Sequence, residues 1–228
     1  MKIALALLRL SRPRDWIKNL FVFAPLIFSK HLTDPVACVQ TLIAFGLLCA
    51  ASSFGYVVND LLDEKRDREH PIKRARPIAS GEVSRVQAMS FGGFVLLGLE
   101  GGAFWSGARL AWVVNAYLGL TLFYSLYLKR KVIVDVLALG ACFVLRVVAG
   151  GVAIGVAVSQ WLILCTFLLA VFLGFSKRRH ELVQLGDAAR DHRWVLTLYS
   201  PQFLDHMNGV TITLTIICYL FYTIAPET

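Results

Sequence analysis

Three aspartates and an asparagine lie close together where a long apolar run of the chain ends. They are Asn59, Asp60, Asp63 and Asp67 in the pattern NDxxDxxxD. The spacing i, i+3, i+7 places the three carboxylates on one face of a helix that continues from the apolar run. Mg²⁺ prefers oxygen ligands and takes one or two carboxylates together with substrate phosphates and water. The pattern therefore predicts a magnesium site.

Basic residues follow the acids and suit phosphate binding. Lys73, Arg74 and Arg76 come shortly after Asp67. An arginine can bind phosphate through two parallel hydrogen bonds, and a lysine supplies a point charge. We interpret residues 59–81 as a site for Mg²⁺ and diphosphate at a membrane surface. The alternative is a solvated loop in which neighbouring acids and bases only neutralise one another.

The composition is typical of a membrane protein. The chain has 228 residues, of which 57% are hydrophobic and 17% charged, and its mean hydropathy is +0.64. A water-soluble domain of this size rarely carries so much apolar surface. The net charge of +8 does not indicate nucleic-acid binding, because the basic residues lie in the links between apolar runs. The five cysteines show no paired spacing and are interpreted as small buried hydrophobic residues.

Seven apolar runs predict an all-α fold, a multi-spanning transmembrane helical bundle. They cover residues 20–30, 37–58, 86–105, 110–128, 132–150, 160–176 and 207–224. The first run is short and contains Pro25, so we expect it to be tilted or broken. No internal repeat or hydrophilic segment divides the chain, and we interpret residues 1–228 as a single integral-membrane domain.

The charges also predict an orientation. With the N-terminus in the cytoplasm, 20 of the 23 Lys and Arg residues lie in cytoplasmic links. Five precede the first run, seven lie at 65–85, three at 129–131 and five at 177–193. Positive residues accumulate on the cytoplasmic side of membrane proteins. We therefore expect a multi-pass protein of the inner (plasma) membrane with its N-terminus and its acid cluster in the cytoplasm.

Two charges lie inside the fifth apolar run. Asp135 and Arg146 are 11 residues apart, about three helical turns, so they share one side of a helix. Charge within a membrane span marks a functional site by default. A structural role, in which each residue bridges to another helix, is the alternative. Tyr124, before this run, suits either a membrane interface or a binding cavity.

The link after the sixth run carries a second group of charges. Lys177 and Glu181 are i, i+4 neighbours, and so are Asp187 and Asp191. Such pairs usually stabilise a surface helix modestly. The functional interpretation is a second acidic and basic patch that faces the first across a cavity.

The pattern at 59–67, followed by RPIASG at 76–81, resembles the UbiA superfamily of intramembrane prenyltransferases. Further stretches are similar to its decaprenyl-phosphate phosphoribosyltransferase branch: RPRDWIKNLFVFAPLIF, DREHPIKRARPIASG, YSLYLKR, FVLRVVAGG and FSKRRHEL. The resemblance covers nearly the whole chain. It implies Mg²⁺-dependent transfer of a phosphoribosyl group from 5-phosphoribosyl diphosphate to a polyprenyl (decaprenyl) phosphate, in the synthesis of cell-wall arabinan precursors. The family commonly has nine membrane helices, so about seven runs leave two helices unaccounted for.

The resemblance also implies a role for each matching residue. The expected ligands of Mg²⁺ and diphosphate are Asn59, Asp60, Asp63 and Asp67, with Asp187 and Asp191 as a second aspartate pair. The expected catalytic residues are Asp60, Asp63, Asp67, Lys177 and Glu181. The expected substrate contacts are Lys18, Asn19, Lys73, Arg76, Tyr124, Lys129, Asp135, Arg146 and Arg178.

Two other functions fit parts of the sequence. A UbiA-type prenyltransferase would move an isoprenoid from its diphosphate to an aromatic or haem acceptor. The 5-phosphate of a ribosyl donor needs a second anion pocket, whereas an aromatic or haem acceptor does not. The candidates for this pocket are Lys177, Arg178 and Arg179. A transporter or a non-catalytic lipid-binding protein is the other alternative, although transporters tend to show repeated halves. The predicted partners are 5-phosphoribosyl diphosphate, a polyprenyl phosphate and the membrane, without nucleic acid; a homo-oligomer is left open.

Overall fold

The computed structural model describes residues 2–185 and 198–224, which are helical throughout their regular parts and contain no strand. The α-helices are α1 (Lys2–Leu10), α2 (Ala24–Phe28), α3 (Pro35–Glu69), α4 (Arg85–Trp105), α5 (Ala108–Leu126), α6 (Val134–Ala153), α7 (Gln160–Leu185) and α8 (Pro201–Ile224). Short 3₁₀ helices cover Pro13–Phe23, Lys73–Ala75 and Leu128–Arg130. The predicted all-α class is confirmed.

Six helices of the described residues, α3 to α8, are long and apolar enough to cross a membrane. Each overlaps one of the last six predicted runs, with boundaries that differ by up to two residues for the runs 110–128 and 132–150. The first run, 20–30, is instead divided between the end of the 3₁₀ helix Pro13–Phe23 and the five residues of α2. Pro25 lies in this run and cannot donate a backbone hydrogen bond, which agrees with the predicted break.

Helix α3 is longer than a membrane is thick. Asp34 caps its N-terminus, since the Asp34 carboxylate accepts a hydrogen bond from the N–H of Val36 at 2.9 Å, and Pro35 is the first helical residue. Its 35 residues span about 52 Å at 1.5 Å per residue, compared with about 30 Å for the hydrocarbon core of a bilayer. The turns that carry Asp60 to Asp67 therefore extend towards the membrane surface.

The largest core cluster of the described residues lies between α3, α4, α5 and α6. It includes Leu48 and Ala51 of α3, Val114 of α5 and Ala149 of α6, all fully buried. The 3₁₀ helix Pro13–Phe23 packs tightly on α6, because a Cβ atom on Gly150 would lie 1.9 Å from the carbonyl oxygen of Val22. This close approach sets the position of the residues that precede Val22.

Helix α1 packs on the end of the bundle that carries the α3 acids. Its Ala6 and Leu10 are buried against Val57, Ile78 and Val83. Its Ile3, Leu5 and Leu8 are exposed, so the helix has one apolar face towards the protein and another towards its surroundings.

Candidate active site

Asp60 and Asp67 of α3 share one arginine from the loop that follows the helix. Arg76 Nη1 lies 3.1 Å from Asp60 Oδ1 and 2.6 Å from Asp67 Oδ2. The two aspartates are 2% and 4% exposed. Because burial disfavours a carboxylate ion, a buried aspartate needs a counter-charge and hydrogen-bond donors. Arg76 supplies a counter-charge and a hydrogen-bond donor to Asp60 and to Asp67.

Asn59 and Asp63 share a lysine from a different segment. Lys129 lies in the 3₁₀ helix after α5, and its Nζ is 2.9 Å from Asp63 Oδ2 and 3.1 Å from Asn59 Oδ1. The predicted residues of the 59–67 segment are thus brought together with Arg76 and Lys129. The fold achieves this by placing the end of α3 beside the α5–α6 link.

Arg12 is a further member of this cluster, and our sequence interpretation did not include it. Its Nη2 lies 2.5 Å from Asp60 Oδ1, and its guanidinium carbon is 4.7 Å from the centre of the Tyr56 ring. Its backbone is left-handed, with φ 51°, which is uncommon for a residue other than glycine. The available signal was its place at the start of RPRDWIKNLFVFAPLIF, one of the stretches that resemble the family.

The oxygen atoms of α3 form two sets. Among residues 2–185 and 198–224, no three His, Cys, Asp or Glu side chains are grouped closely enough to hold a metal ion. Asn59 and Asp63 instead converge on the Lys129 ammonium, and Asp60 and Asp67 converge on the Arg76 guanidinium. Carboxylate and amide oxygens are the ligand types that Mg²⁺ takes in proteins, so the donor types of the two sets suit a hard divalent cation.

A second polar layer lies deeper in the bundle, around Arg146 of α6. Its Nε donates to Asn19 Oδ1 at 2.8 Å and its Nη2 donates to the Tyr117 hydroxyl at 2.9 Å. Its guanidinium carbon is 4.8 Å from the ring centres of both Tyr117 and Phe143. Asn19 also donates to Ser52 Oγ of α3 at 3.3 Å. The predicted substrate contacts Asn19 and Arg146 therefore belong to one buried network that joins α3, α5, α6 and the first 3₁₀ helix.

A third polar cluster is centred on Arg178 of α7. Its Nε lies 3.1 Å from Asp135 Oδ2 and its Nη1 lies 3.2 Å from Glu181 Oε2. Tyr199 donates to the other oxygen of Asp135 at 3.1 Å. Arg178 is 2% exposed and Asp135 is fully buried. This geometry matches the bridging alternative, in which Asp135 links α6 to another helix.

Tyr199 fixes the turn at the start of α6. Its hydroxyl accepts a hydrogen bond from the backbone N–H of Ile133 at 2.6 Å, and Ile133 has a left-handed φ of 68°. Burial, with a contribution from Asp135, raises the pKa of Tyr199 to about 12. The phenol therefore keeps its proton and donates to Asp135 at neutral pH.

The segment 129–135 connects the first and third clusters. Lys129 contacts the α3 acids, and the backbone N–H of Asp135 donates to the carbonyl of Lys131 at 3.0 Å. The acids of α3 and the end of α7 thus lie at the same end of the bundle, on either side of this segment.

Two other predicted residues, Lys18 and Lys177, lie at the surface of the protein. Lys18 is exposed and lies 2.5 Å from Asp15. Lys177 is also exposed, 3.9 Å from Glu181, whereas Arg179 pairs with Asp205 of α8 at 3.0 Å. Since consecutive helical residues point about 100° apart, Lys177, Arg178 and Arg179 do not line one common anion pocket.

Four predicted residues remain. Tyr124 is half-buried in the last turns of α5, and Lys73 begins the 3₁₀ helix after α3. Asp187 and Asp191 lie outside the described residues.

Comparison with known proteins agrees with this architecture. The model of the UbiA prenyltransferase family matches residues 20–226. A decaprenyl-phosphate phosphoribosyltransferase of Mycolicibacterium smegmatis is 34% identical over 219 residues, which cover 93% of this chain and 68% of that protein. The protein of the same name from Corynebacterium glutamicum is 33% identical, over 96% of this chain and 68% of its own length.

Solved structures share the fold at lower identity. The structure of a UbiA homolog from Archaeoglobus fulgidus bound to DMAPP and Mg²⁺ has a TM-score of 0.77 at 20% identity, covering 94% of this chain and 76% of that one. The same homolog bound to GPP and Mg²⁺ has a TM-score of 0.74. Fold and site together are those of a multi-pass membrane transferase. The chain belongs to the UbiA prenyltransferase family.

Proposed function

We propose that this protein transfers the phosphoribosyl group of 5-phosphoribosyl diphosphate to a polyprenyl phosphate and releases diphosphate. One observation carries the proposal: the α3 acids meet basic residues from three separate segments, Arg12, Arg76 and Lys129, at one helix end. The relatives that bear the name decaprenyl-phosphate phosphoribosyltransferase support the choice of donor and acceptor.

The chain's own residues divide between metal and phosphate. Asn59, Asp60, Asp63 and Asp67 would hold Mg²⁺, which when bound supplies positive charge to a departing diphosphate. Arg12, Arg76 and Lys129 would contact the diphosphate oxygens. Cations placed where negative charge develops lower the barrier, and this effect is usually the largest in such catalysis.

The bond changes need no proton transfer. The bond from C1 of the ribose to diphosphate breaks, C1 becomes an oxocarbenium ion, and an oxygen of the lipid phosphate forms the new bond to C1. Because the lipid phosphate is already ionised at neutral pH, no general base is required. The apolar interior of the bundle would keep water away from the cationic carbon.

Other predicted residues are proposed as substrate contacts. Arg146, held by Asn19 and Tyr117, places a buried positive charge deeper in the bundle than the α3 acids. Lys177 is exposed and only loosely paired, so it suits the 5-phosphate of the donor better than Arg178, which is engaged with Asp135.

We place the site at the cytoplasmic face of the inner membrane, from the distribution of Lys and Arg.

Prenyl transfer to an aromatic acceptor is the second candidate. It is favoured by the shared fold of the Archaeoglobus fulgidus homolog, which was solved with prenyl diphosphates and Mg²⁺. The arrangement of Lys177, Arg178 and Arg179 does not exclude it, since these residues do not line one pocket.

Two parallel reactions with purified protein in lipid nanodiscs separate the candidates. One holds labelled 5-phosphoribosyl diphosphate and decaprenyl phosphate, and the other holds labelled geranyl diphosphate and 4-hydroxybenzoate, both with Mg²⁺. We expect lipid-soluble label in the first reaction only, and none with Asp63→Asn. Label in the second reaction alone would replace our proposal by prenyl transfer, and label in neither would overturn both.

A further inference from the structure

The cations of the candidate site also act as internal partners of its acids. We propose that Arg76 and Lys129 exchange partners on substrate binding: they leave the α3 carboxylates for the diphosphate as Mg²⁺ takes their place. Metal and diphosphate would then bind cooperatively, each weakly without the other. This inference rests on the proposed function, because it assumes that Mg²⁺ and diphosphate are the ligands.

The geometry places each cation between the oxygen atoms that a metal would use. Lys129 Nζ lies within 3.1 Å of oxygens from both Asn59 and Asp63. Arg76 Nη1 lies within 3.1 Å of oxygens from both Asp60 and Asp67. A metal ion that binds either set of oxygens therefore has to displace the cation that the set already holds.

The three aspartates of the cluster already have cationic partners. Asp60 pairs with Arg12 and Arg76, Asp67 pairs with Arg76, and Asp63 pairs with Lys129 and, at 3.8 Å, with the exposed Arg66. Mg²⁺ alone would add positive charge to carboxylates that are already neutralised. Diphosphate alone would have to remove Arg76 from Asp67 or Lys129 from Asp63, and it would leave these carboxylates with weaker counter-ions, such as the exposed Arg66 at 3.8 Å from Asp63. Binding of both together keeps every charge paired.

Burial makes the unpaired intermediates costly. Asp60 and Asp67 are nearly inaccessible to water, and Lys129 and Asp63 are each less than one-fifth exposed. A desolvated carboxylate that loses its partner is strongly disfavoured. Because Lys129 lies on a short turn between α5 and α6, its flexible side chain can change partner without movement of α3.

Binding of Mn²⁺, as a substitute for Mg²⁺, and of inorganic diphosphate tests the exchange directly. Free Mn²⁺ is measured by electron paramagnetic resonance with purified protein in detergent, and metal-free diphosphate binding is measured by calorimetry in the presence of EDTA. Lys129→Met should bind Mn²⁺ alone at least tenfold more tightly than the wild type and diphosphate alone more weakly. Asp63→Asn should bind Mn²⁺ alone more weakly and diphosphate alone more tightly than the wild type, because it removes a metal ligand and releases Lys129 for the anion.

Matched variants separate the exchange from a general change of charge. Lys131→Gln removes one positive charge from an exposed position close to Lys129, and Glu69→Gln removes one negative charge from the exposed end of α3. Both should bind Mn²⁺ and diphosphate within about twofold of the wild type. Lys129→Arg keeps the charge and should bind Mn²⁺ alone as weakly as the wild type. Gel filtration and thermal unfolding establish that each variant is folded.

Each outcome decides between the two proposals. Unchanged or weaker Mn²⁺ binding by folded Lys129→Met would overturn the exchange, whatever the transfer assay shows. The exchange would be supported if Lys129→Met and Asp63→Asn changed the affinities for Mn²⁺ and diphosphate in the expected opposite directions. If the wild type at the same time transferred no ribosyl label, the proposed function would be overturned. Absence of Mn²⁺ binding in the wild type, with and without diphosphate, would overturn the exchange together with the metal site.

Discussion

The three aspartates of α3 differ in their surroundings although they share one helix face. Asp60 and Asp67 are buried and use a common arginine, whereas Asp63 is partly exposed and pairs with the flexible side chain of Lys129. Asp63 is therefore the carboxylate that an incoming metal ion can reach with the smallest rearrangement. Its substitution is the sharpest test of the metal role.

We expect Asp63→Asn to lower the turnover number for ribosyl transfer by about 100-fold or more, since it replaces an anionic metal ligand by a neutral one. Radiolabel transfer at saturating Mg²⁺ measures the loss. Glu69→Gln, at an exposed position of the same helix end, should retain activity within about twofold of the wild type. Wild-type turnover by folded Asp63→Asn would exclude the proposed metal role.

The buried phenol of Tyr199 supports a prediction about stability. Tyr199→Phe leaves the N–H of Ile133 and one oxygen of Asp135 without a partner, which should cost about 1–3 kcal/mol of unfolding free energy near neutral pH. Thermal unfolding in detergent measures this difference from the wild type.

The stability difference between the wild type and Tyr199→Phe should also depend on pH. The pKa of Tyr199 is raised to about 12, above its ordinary value, so the stability linked to its proton is complete below pH 10 and declines as pH rises through 12. The difference in unfolding temperature between wild type and Tyr199→Phe should therefore narrow as pH rises from 9 to 11. A difference that stays constant or widens would contradict the assigned environment of the phenol.

Residue types and spacing predicted part of the site. The i, i+3, i+7 spacing indicated that the α3 acids share a face, and the basic composition of the links indicated that cations lie near them. Contacts between distant positions could not be predicted in this way. Arg12 pairs with Asp60 across 48 positions and Arg178 pairs with Asp135 across 43, and both pairs depend on how helices pack. The ion pair that Arg178 forms with Asp135 inside the bundle could therefore not be predicted from the neighbours of Arg178 along the chain.

At the scale of elements, the 3₁₀ helix Pro13–Phe23 carries residues of two polar layers. Arg12 directly precedes it and reaches Asp60, while Asn19 lies within it and reaches Arg146. The apolar pattern predicted the six long spans, because length and lack of charge are sufficient signals for these. It predicted a break near Pro25 but not the 3₁₀ geometry, which depends on the close contact with α6.

That contact can be tested at Gly150. A Cβ atom at this position would lie 1.9 Å from the carbonyl oxygen of Val22, so Gly150→Ala has to push the 3₁₀ helix away from α6. We expect a loss of about 1–3 kcal/mol in stability and a strong loss of transfer activity, because Arg12 and Asn19 move with the segment.

Gly98→Ala is the matched control. Among the described residues, no atom outside the neighbouring backbone of α4 lies within 4 Å of the corresponding Cβ position, so the same substitution should leave stability and activity near the wild-type values. Thermal unfolding and the transfer assay, performed on both variants, measure the contrast. Equal behaviour of the two variants would show that the contact between Val22 and Gly150 does not position the site.

At the scale of the whole molecule, the polar clusters of the described residues are concentrated towards one end of the bundle. The acids of α3, the Lys129 turn, Asp135 at the start of α6 and the last turns of α7 all lie there, and the deeper Arg146 network extends from them. The loop between α6 and α7 lies at the opposite end. The excess of Lys and Arg at the first end makes it the cytoplasmic one in our prediction.

Single cysteines at the two ends test this orientation. Ala75 lies in the exposed loop after α3, and Ala157 is exposed in the loop between α6 and α7. In a background without the five native cysteines, Ala157→Cys should react with a membrane-impermeant maleimide in intact spheroplasts. Ala75→Cys should react only after the membrane is permeabilised. The reverse pattern would place the acid cluster outside the cytoplasm, where phosphoribosyl diphosphate made by metabolism inside the cell could not reach it without transport. That result would exclude the proposed donor for reasons of location, even if the site were otherwise built as described.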